Sequence, residues 1–104
     1  MMGPPMDLAT FEQKADVVAN VLKALGNARR LMILCKLVEH GEMTVGSLAQ
    51  EVGLSQSALS QHLARMRDEE LIAFRRESQT LWYRIVDGRV EALLTTLYHL
   101  YCKD

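Results

Sequence analysis

The sequence predicts one mainly α-helical domain that carries a single β-hairpin, in the order ααααββα. Three observations carry this expectation. Apolar residues recur at helical spacing through most of the 104 positions. Two short runs between residues 72 and 85 switch to strict alternation, the period of a strand. Gly, Asn, Ser and Asp stand where one helical pattern stops and the next begins. The length suits one domain. A hydrophobic content of 49% supplies a core, and 24% charged residues argue against a disordered chain.

Each element follows from local residues. Residues 1–6 read MMGPPM and are expected to be a mobile tail, with residues 1–9 outside the folded domain of residues 10–104. Thr10 followed by Gln13 fits a capping box, so the first helix is expected to start at Thr10. Val17, Val18, Val21, Leu22 and Leu25 then form its apolar stripe, and Gly26 stops it. Asn27 caps a second helix with Arg29 and Arg30 in its first turn. Residues 31–38 of that helix are apolar nearly all round, which predicts a buried central helix, and Gly41 ends it. Residues 43–45 read as a short extended piece. A short helix is expected over residues 46–52, a turn at Gly53 and Leu54, and a longer helix over residues 56–70 capped by Ser55. Ile72 and Phe74, then Leu81, Tyr83 and Ile85, mark the hairpin around a polar turn at residues 77–79. Asp87 caps a last helix striped by Val90, Leu93, Leu94, Leu97 and Tyr101.

The charge balance is uninformative as a sum and informative as a pattern. Twelve bases against thirteen acids give a net charge of −1, which does not point to nucleic acid. Yet residues 54–67 hold no acid, and Arg65, Arg67, Arg75, Arg76 and Arg84 cluster in and after that stretch. No run of 18 apolar residues is present, so no membrane-spanning helix is expected. Residues 1–10 have neither the basic start nor the apolar centre of a secretory leader, so a cytoplasmic protein with no membrane partner is expected. Two cysteines, Cys35 and Cys102, are too few for a disulfide scaffold.

The segment over residues 44–71 carries the function. A short helix, a glycine turn and a longer helix make a helix-turn-helix. Leu48, Val52, Leu59 and Leu63 would join the two helices. The outer face of the longer helix is small and polar, as entry into a DNA major groove requires. Ser55, Gln56, Ser57, Ser60, Gln61, His62 and Arg65 are the candidate contacts there. A Gln side chain bonds adenine bidentately, and Ser reads base edges or phosphates permissively. The hairpin that follows would be a wing. Arg75, Arg76, Gln79 and Thr80 on it are candidates for phosphate or minor-groove contact. The fold class is therefore a winged helix-turn-helix, and the expected partner is double-stranded DNA.

LSQSALSQHLARMRDEELI followed by RRESQTLWYRI, with LGNARRLMIL upstream, resembles the ArsR/SmtB family of small winged-helix repressors. The likeness runs over roughly residues 15–102. It implies a homodimer through the first and last helices, an inverted-repeat operator, and release from DNA when an inducer binds. The short helix GSLAQEV lacks Cys and His, so the thiolate metal site that many members carry there is not expected. A zinc set in the last helix would be incomplete: Asp87, His99 and Cys102 are present, but Arg89 stands where a second ligand is wanted. Neither metal nor another cofactor is expected. Cys35 and Cys102 instead resemble the paired cysteines of a dithiol subgroup similar to BigR, SqrR and HlyU. That implies a sensor of persulfides or oxidants in which the two thiols become linked. His99 and Lys103 are placed to act on Cys102. A metal-sensing repressor of the same fold is the alternative. A thiol enzyme is not expected, because the chain lacks a Gly-rich loop, paired carboxylates and a Cys-x-x-Cys motif.

Overall fold

The structure, a computed structural model, describes residues 6–102. Most of the expected tail and Lys103 therefore lie outside the described residues. Helix α1 is Leu8–Leu25 and begins two residues before Thr10. Asp7 is the cap: its Oδ1 accepts from the Ala9 and Thr10 amides at 3.1 and 3.3 Å. Thr10 is the third residue of the helix rather than its cap, and its hydroxyl donates to Asp7 Oδ2 at 2.8 Å. Helix α2 is Ala28–His40, capped by Asn27, whose Oδ1 accepts from the Arg29 and Arg30 amides. Gly41, at φ 82°, closes it.

Strand β1 is Met43–Thr44 and helix α3 is Val45–Val52. The helix gains Val45 at its start because Thr44 caps it, its hydroxyl accepting from the Ser47 amide at 3.2 Å. Gly53 takes the left-handed conformation and turns the chain. Ser55 then caps helix α4, Gln56–Asp68, accepting from the Ala58 amide at 3.1 Å. This helix stops two residues short of the expected Glu70. The Glu70 amide bonds the Arg67 carbonyl and the Leu71 amide bonds the Met66 carbonyl. Glu70 sits at φ 64°, where glycine is usual. That pattern is a Schellman motif, with Leu71 and Met66 both buried in the core cluster.

Strands β2, Ile72–Glu77, and β3, Thr80–Ile85, form the hairpin, and helix α5 is Gly88–Cys102. The sheet order is β1-β3-β2, all antiparallel, with Tyr83 opposite both Met43 and Phe74. The short extended piece thus becomes the third strand and ties the helix-turn-helix to the wing.

The core joins Ile33, Leu34 and Leu37 of α2 to Leu48, Leu59, Leu63, Ile72 and Val90, each 1% exposed or less. Burying one such side chain is worth about 1.5–3 kcal/mol. The expectation of a second helix buried on all sides needs correction. Met32 is 47% exposed, and Leu31, Cys35 and Val38 are half-buried at the core edge. The neighbouring elements of this chain cover one face of α2 and leave its other flank open.

Candidate DNA interface and thiol pair

Helix α4 turns Leu59, Leu63 and Met66 inward. Ser55, Gln56, Ser57, Ser60, Gln61 and Arg65 are exposed, and His62 is half-buried. Ser57, Ser60 and Ala64 are small and exposed, with Gln61 among them, so the helix presents a narrow polar edge. Burial holds the His62 imidazole towards its neutral form, and the positive charges of Arg30, Arg29 and Arg65 act the same way. Arg67 lies 4.9 Å over the Phe74 ring and braces α4 against β2.

Adjacent strand residues point to opposite faces, so Arg75 and Arg76 separate. Arg75 is engaged. Its Nε lies 3.0 and 3.1 Å from the two carboxylate oxygens of Glu42, and its Nη2 donates at 2.9 Å. The guanidinium also lies 5.6 Å over Trp82. The Arg75 fork lowers the Glu42 pKa below its ordinary value, and the carboxylate raises that of Arg75. Arg75 thus fastens the wing to the segment after α2. Arg76, Gln79 and Thr80 are exposed, and Arg76 makes no ion pair among the described residues.

Cys35 and Cys102 are both free thiols, one half-buried and one exposed. Between α2 and α5 lies a cleft of about 230 Å³ lined by Cys35, Val38, Glu39, Leu94, Thr95 and Tyr98. Leu94, Tyr98 and Cys102 follow at steps of four and share one stripe of α5. Cys102 therefore lies one turn beyond the residues that face Cys35. Burial pushes the Cys35 thiol pKa up, charge on Cys102 pushes it the same way, and Lys36 opposes both. Lys36 is itself drawn to Glu51 at 3.3 Å and Glu39 at 3.5 Å.

Two groups bear on metal binding. Both Asp87 carboxylate oxygens accept from the Arg89 guanidinium at 3.0 Å, so Asp87 is already engaged by an internal cation. Glu39, His40 and Glu51 place their ligand atoms within 4.8 Å of one another, on the surface. The Lys36 ammonium bridges the two carboxylates of that group.

Residues 27–73 match the family described as bacterial regulatory protein, arsR family. The transcriptional activator HlyU of Vibrio cholerae is 43% identical over 99% of this chain and 94% of its own length. A biofilm growth-associated repressor of Xylella fastidiosa is 38% identical over 95% of this chain and 86% of its own. The crystal structure of the repressor BigR from Xylella fastidiosa superposes with a TM-score of 0.87 at 37% identity, covering 95% of this chain and all of that one. Reduced HlyU from Vibrio cholerae gives 0.78 at 46%, covering 88% and 96%. The antimony-specific repressor AntR gives 0.80 at 33%, covering 85% and 79%.

The chain belongs to the ArsR family. It is a DNA-binding transcription regulator with the winged helix-turn-helix of that family. For an ArsR-family protein, the informative differences from the sequence reading are local. The polar face of α4 and the wing tip lie exposed where the sequence placed them. Arg75, a candidate for phosphate or minor-groove contact on the wing, is held by Glu42. Arg29 and Arg30 were placed only in the first turn of α2, yet they come up beside His62. Their signal was available: basic residues at a helix N-terminus oppose the helix dipole, so their presence there calls for a reason.

Proposed function

We propose that the chain is a homodimeric repressor that leaves its operator when Cys35 and Cys102 are linked. The observation that carries this is the cleft between α2 and α5. It exposes one edge of Cys35 to the α5 stripe that ends in Cys102. Exposed Cys102 is the entry point. Its thiolate attacks the sulfane sulfur of a low-molecular-weight persulfide, forming the Cys102 persulfide and releasing the small thiolate. Cys35 then attacks the inner sulfur, giving a disulfide and hydrosulfide. If Cys35 has been persulfidated in the same way, its terminal sulfur attacks instead and the bridge contains three sulfurs. A plain disulfide needs Cα atoms about 4.4–6.8 Å apart, whereas a longer sulfur bridge spans more. Either product ties α5 to α2, whose far end packs near the recognition helix.

The dimer reading rests on uncovered apolar surface. Leu22 of α1 and Tyr98, Leu100 and Tyr101 of α5 are 54%, 59%, 70% and 81% exposed. Val21 and Leu25, with Val90 and Leu94, face inward on the same two helices. Each helix thus serves the core with one face and offers a second to a partner copy. Pairing across a two-fold axis would set the recognition helices about 34–36 Å apart, the spacing of successive major-groove half-sites. Binding is followed by fluorescence anisotropy on a duplex that the reduced protein enriches from a random pool. Persulfide should release the parent, and Cys35→Ser and Cys102→Ser should stay bound. Equal release of either variant would refute the switch.

One observation favours metal sensing instead: the Glu39, His40 and Glu51 group, in a chain that resembles an antimony-specific repressor. The Lys36 ammonium already pairs with both carboxylates of that group and competes with a metal for them. Equilibrium dialysis decides; stoichiometric zinc at micromolar concentration, lost in His40→Ala, would establish the metal reading.

A further inference from the structure

Beside α4 lies a second cleft, of about 250 Å³, lined by Asn27, Arg30, Ala58, Gln61, His62 and Arg65. Ala58, Gln61, His62 and Arg65 form one flank of α4 at steps of three and four, and the start of α2 forms the opposite wall. Gln61 is shared between this wall and the edge of α4 offered to bases.

Three features make the cleft unusual. First, Arg30 buries its Nε with no hydrogen-bond partner. A buried guanidinium N–H without an acceptor costs free energy that a bound acceptor would recover. Second, no acid neutralises it. Arg29, Arg30 and Arg65 form no ion pair among the described residues, whereas Arg75 and Arg89 each hold a carboxylate. Third, the two α2 arginines stand at the positive end of a helix whose first turn holds no acid. The Arg29 and Arg30 amides are already satisfied by Asn27, so it is the side chains that lack a partner.

We propose that this cleft seats one backbone phosphate of the bound DNA, gripped by Arg30 from α2 and Arg65 from α4, with Arg29 adding charge at the rim. The proposal rests on the DNA-binding reading and adds a contact from outside the helix-turn-helix and the wing. The phosphate accepts from Arg65 and from the Arg30 guanidinium, which turns towards the cleft to bring its buried, unpartnered Nε–H to an acceptor, and the fork geometry of a guanidinium suits two of its oxygens. Half-buried His62 closes the floor, and it faces Arg30 and Arg29 of α2 and Arg65 of its own helix. The contact would fix the register of α4 along the groove, so that Gln61 meets a defined base pair.

The test uses the full chain and two probes, the duplex that the parent enriches from a random pool and an unselected duplex of the same length. Arg30→Gln and Arg65→Gln are each expected to weaken binding to both duplexes about tenfold. Each should also lower the slope of log affinity against log salt by about one. Arg30→Lys should restore the slope. On the parent, single neutral methylphosphonate linkages scanned along each strand should find one position per half-site whose loss matches that of Arg30→Gln. The variant should then be indifferent to that linkage. This pairing of variant and linkage separates a phosphate contact from a folding defect. Unchanged salt slopes in both Gln variants, or additive losses at every linkage, would overturn the phosphate seat while the parent still binds. A parent that enriches no duplex from the pool would overturn the DNA-binding reading itself.

Discussion

In the proposed switch the chemistry turns on Cys35, whose surroundings make it a reluctant nucleophile. Burial and nearby charge on Cys102 favour the protonated thiol, so its pKa lies above the ordinary 9.0. A pKa raised on folding stabilises the native state below the unfolded-state value, and the contribution is lost as pH rises through the folded value. Reactivity follows the same shift. The alkylation rate of Cys35 in Cys102→Ser should still be climbing at pH 9, with a midpoint above that of an unhindered thiol. A profile that levels off below pH 9 would remove the shift. Charge on Cys102 is absent in that variant, so burial alone must account for what remains. Arginines differ just as sharply by environment. Arg76→Ala should lower the salt slope of DNA binding by about one, while Arg75→Ala should leave it nearly unchanged, because Glu42 already holds Arg75. Equal slopes for the two variants would contradict that division.

At the scale of the element, caps decide where helices begin and end. Glu70 completes the Schellman turn at φ 64°, a conformation that costs a residue with a side chain about 1–2 kcal/mol relative to glycine. Glu70→Gly should therefore stabilise the protein by up to about 1 kcal/mol, part of the relief being offset by unfolded-state entropy. That corresponds to several degrees in the thermal midpoint. A lower midpoint would show that the Glu70 side chain makes a contact worth more than the strain. The same motif explains one limit of the sequence. Gly41 and Gly53 announced their turns because glycine is the residue the geometry prefers, whereas Glu70 adopts it without the compositional sign. Asp7 escapes the sequence for a related reason: two residues three apart each offer a cap, and only the structure shows the Asp7 carboxylate accepting from the Ala9 and Thr10 amides. The helix-turn-helix, the hairpin and the caps at Asn27 and Ser55 were legible because periodicity and capping chemistry are local. The Arg75–Glu42 pair spans 33 residues of sequence, and the cleft at Arg30 joins two helices. No local pattern encodes such contacts.

The whole molecule is extended for its length. Its radius of gyration is 15.4 Å, against about 13 Å for a compact domain of this size. Residues 8–17 of α1 are exposed throughout, so the first turns of that helix gain little cover from the rest of the chain. A second copy would supply the missing cover. Leu22→Glu should shift the protein to monomer in sedimentation at tens of micromolar and abolish tight operator binding. A parent that sediments as a monomer under those conditions would contradict the dimer. The proposed switch would join all three scales: two thiols, two helices and the spacing of two recognition helices. The most direct test measures both ends of that chain in one sample. Reduced protein on its selected duplex is titrated with persulfide, and DNA release is read by anisotropy. The fraction of chains with Cys35 linked to Cys102 is read by peptide mass spectrometry. Release is expected to rise in proportion to the bridged fraction. Full release while both cysteines remain unlinked, or full bridging with the DNA still bound, would contradict the switch.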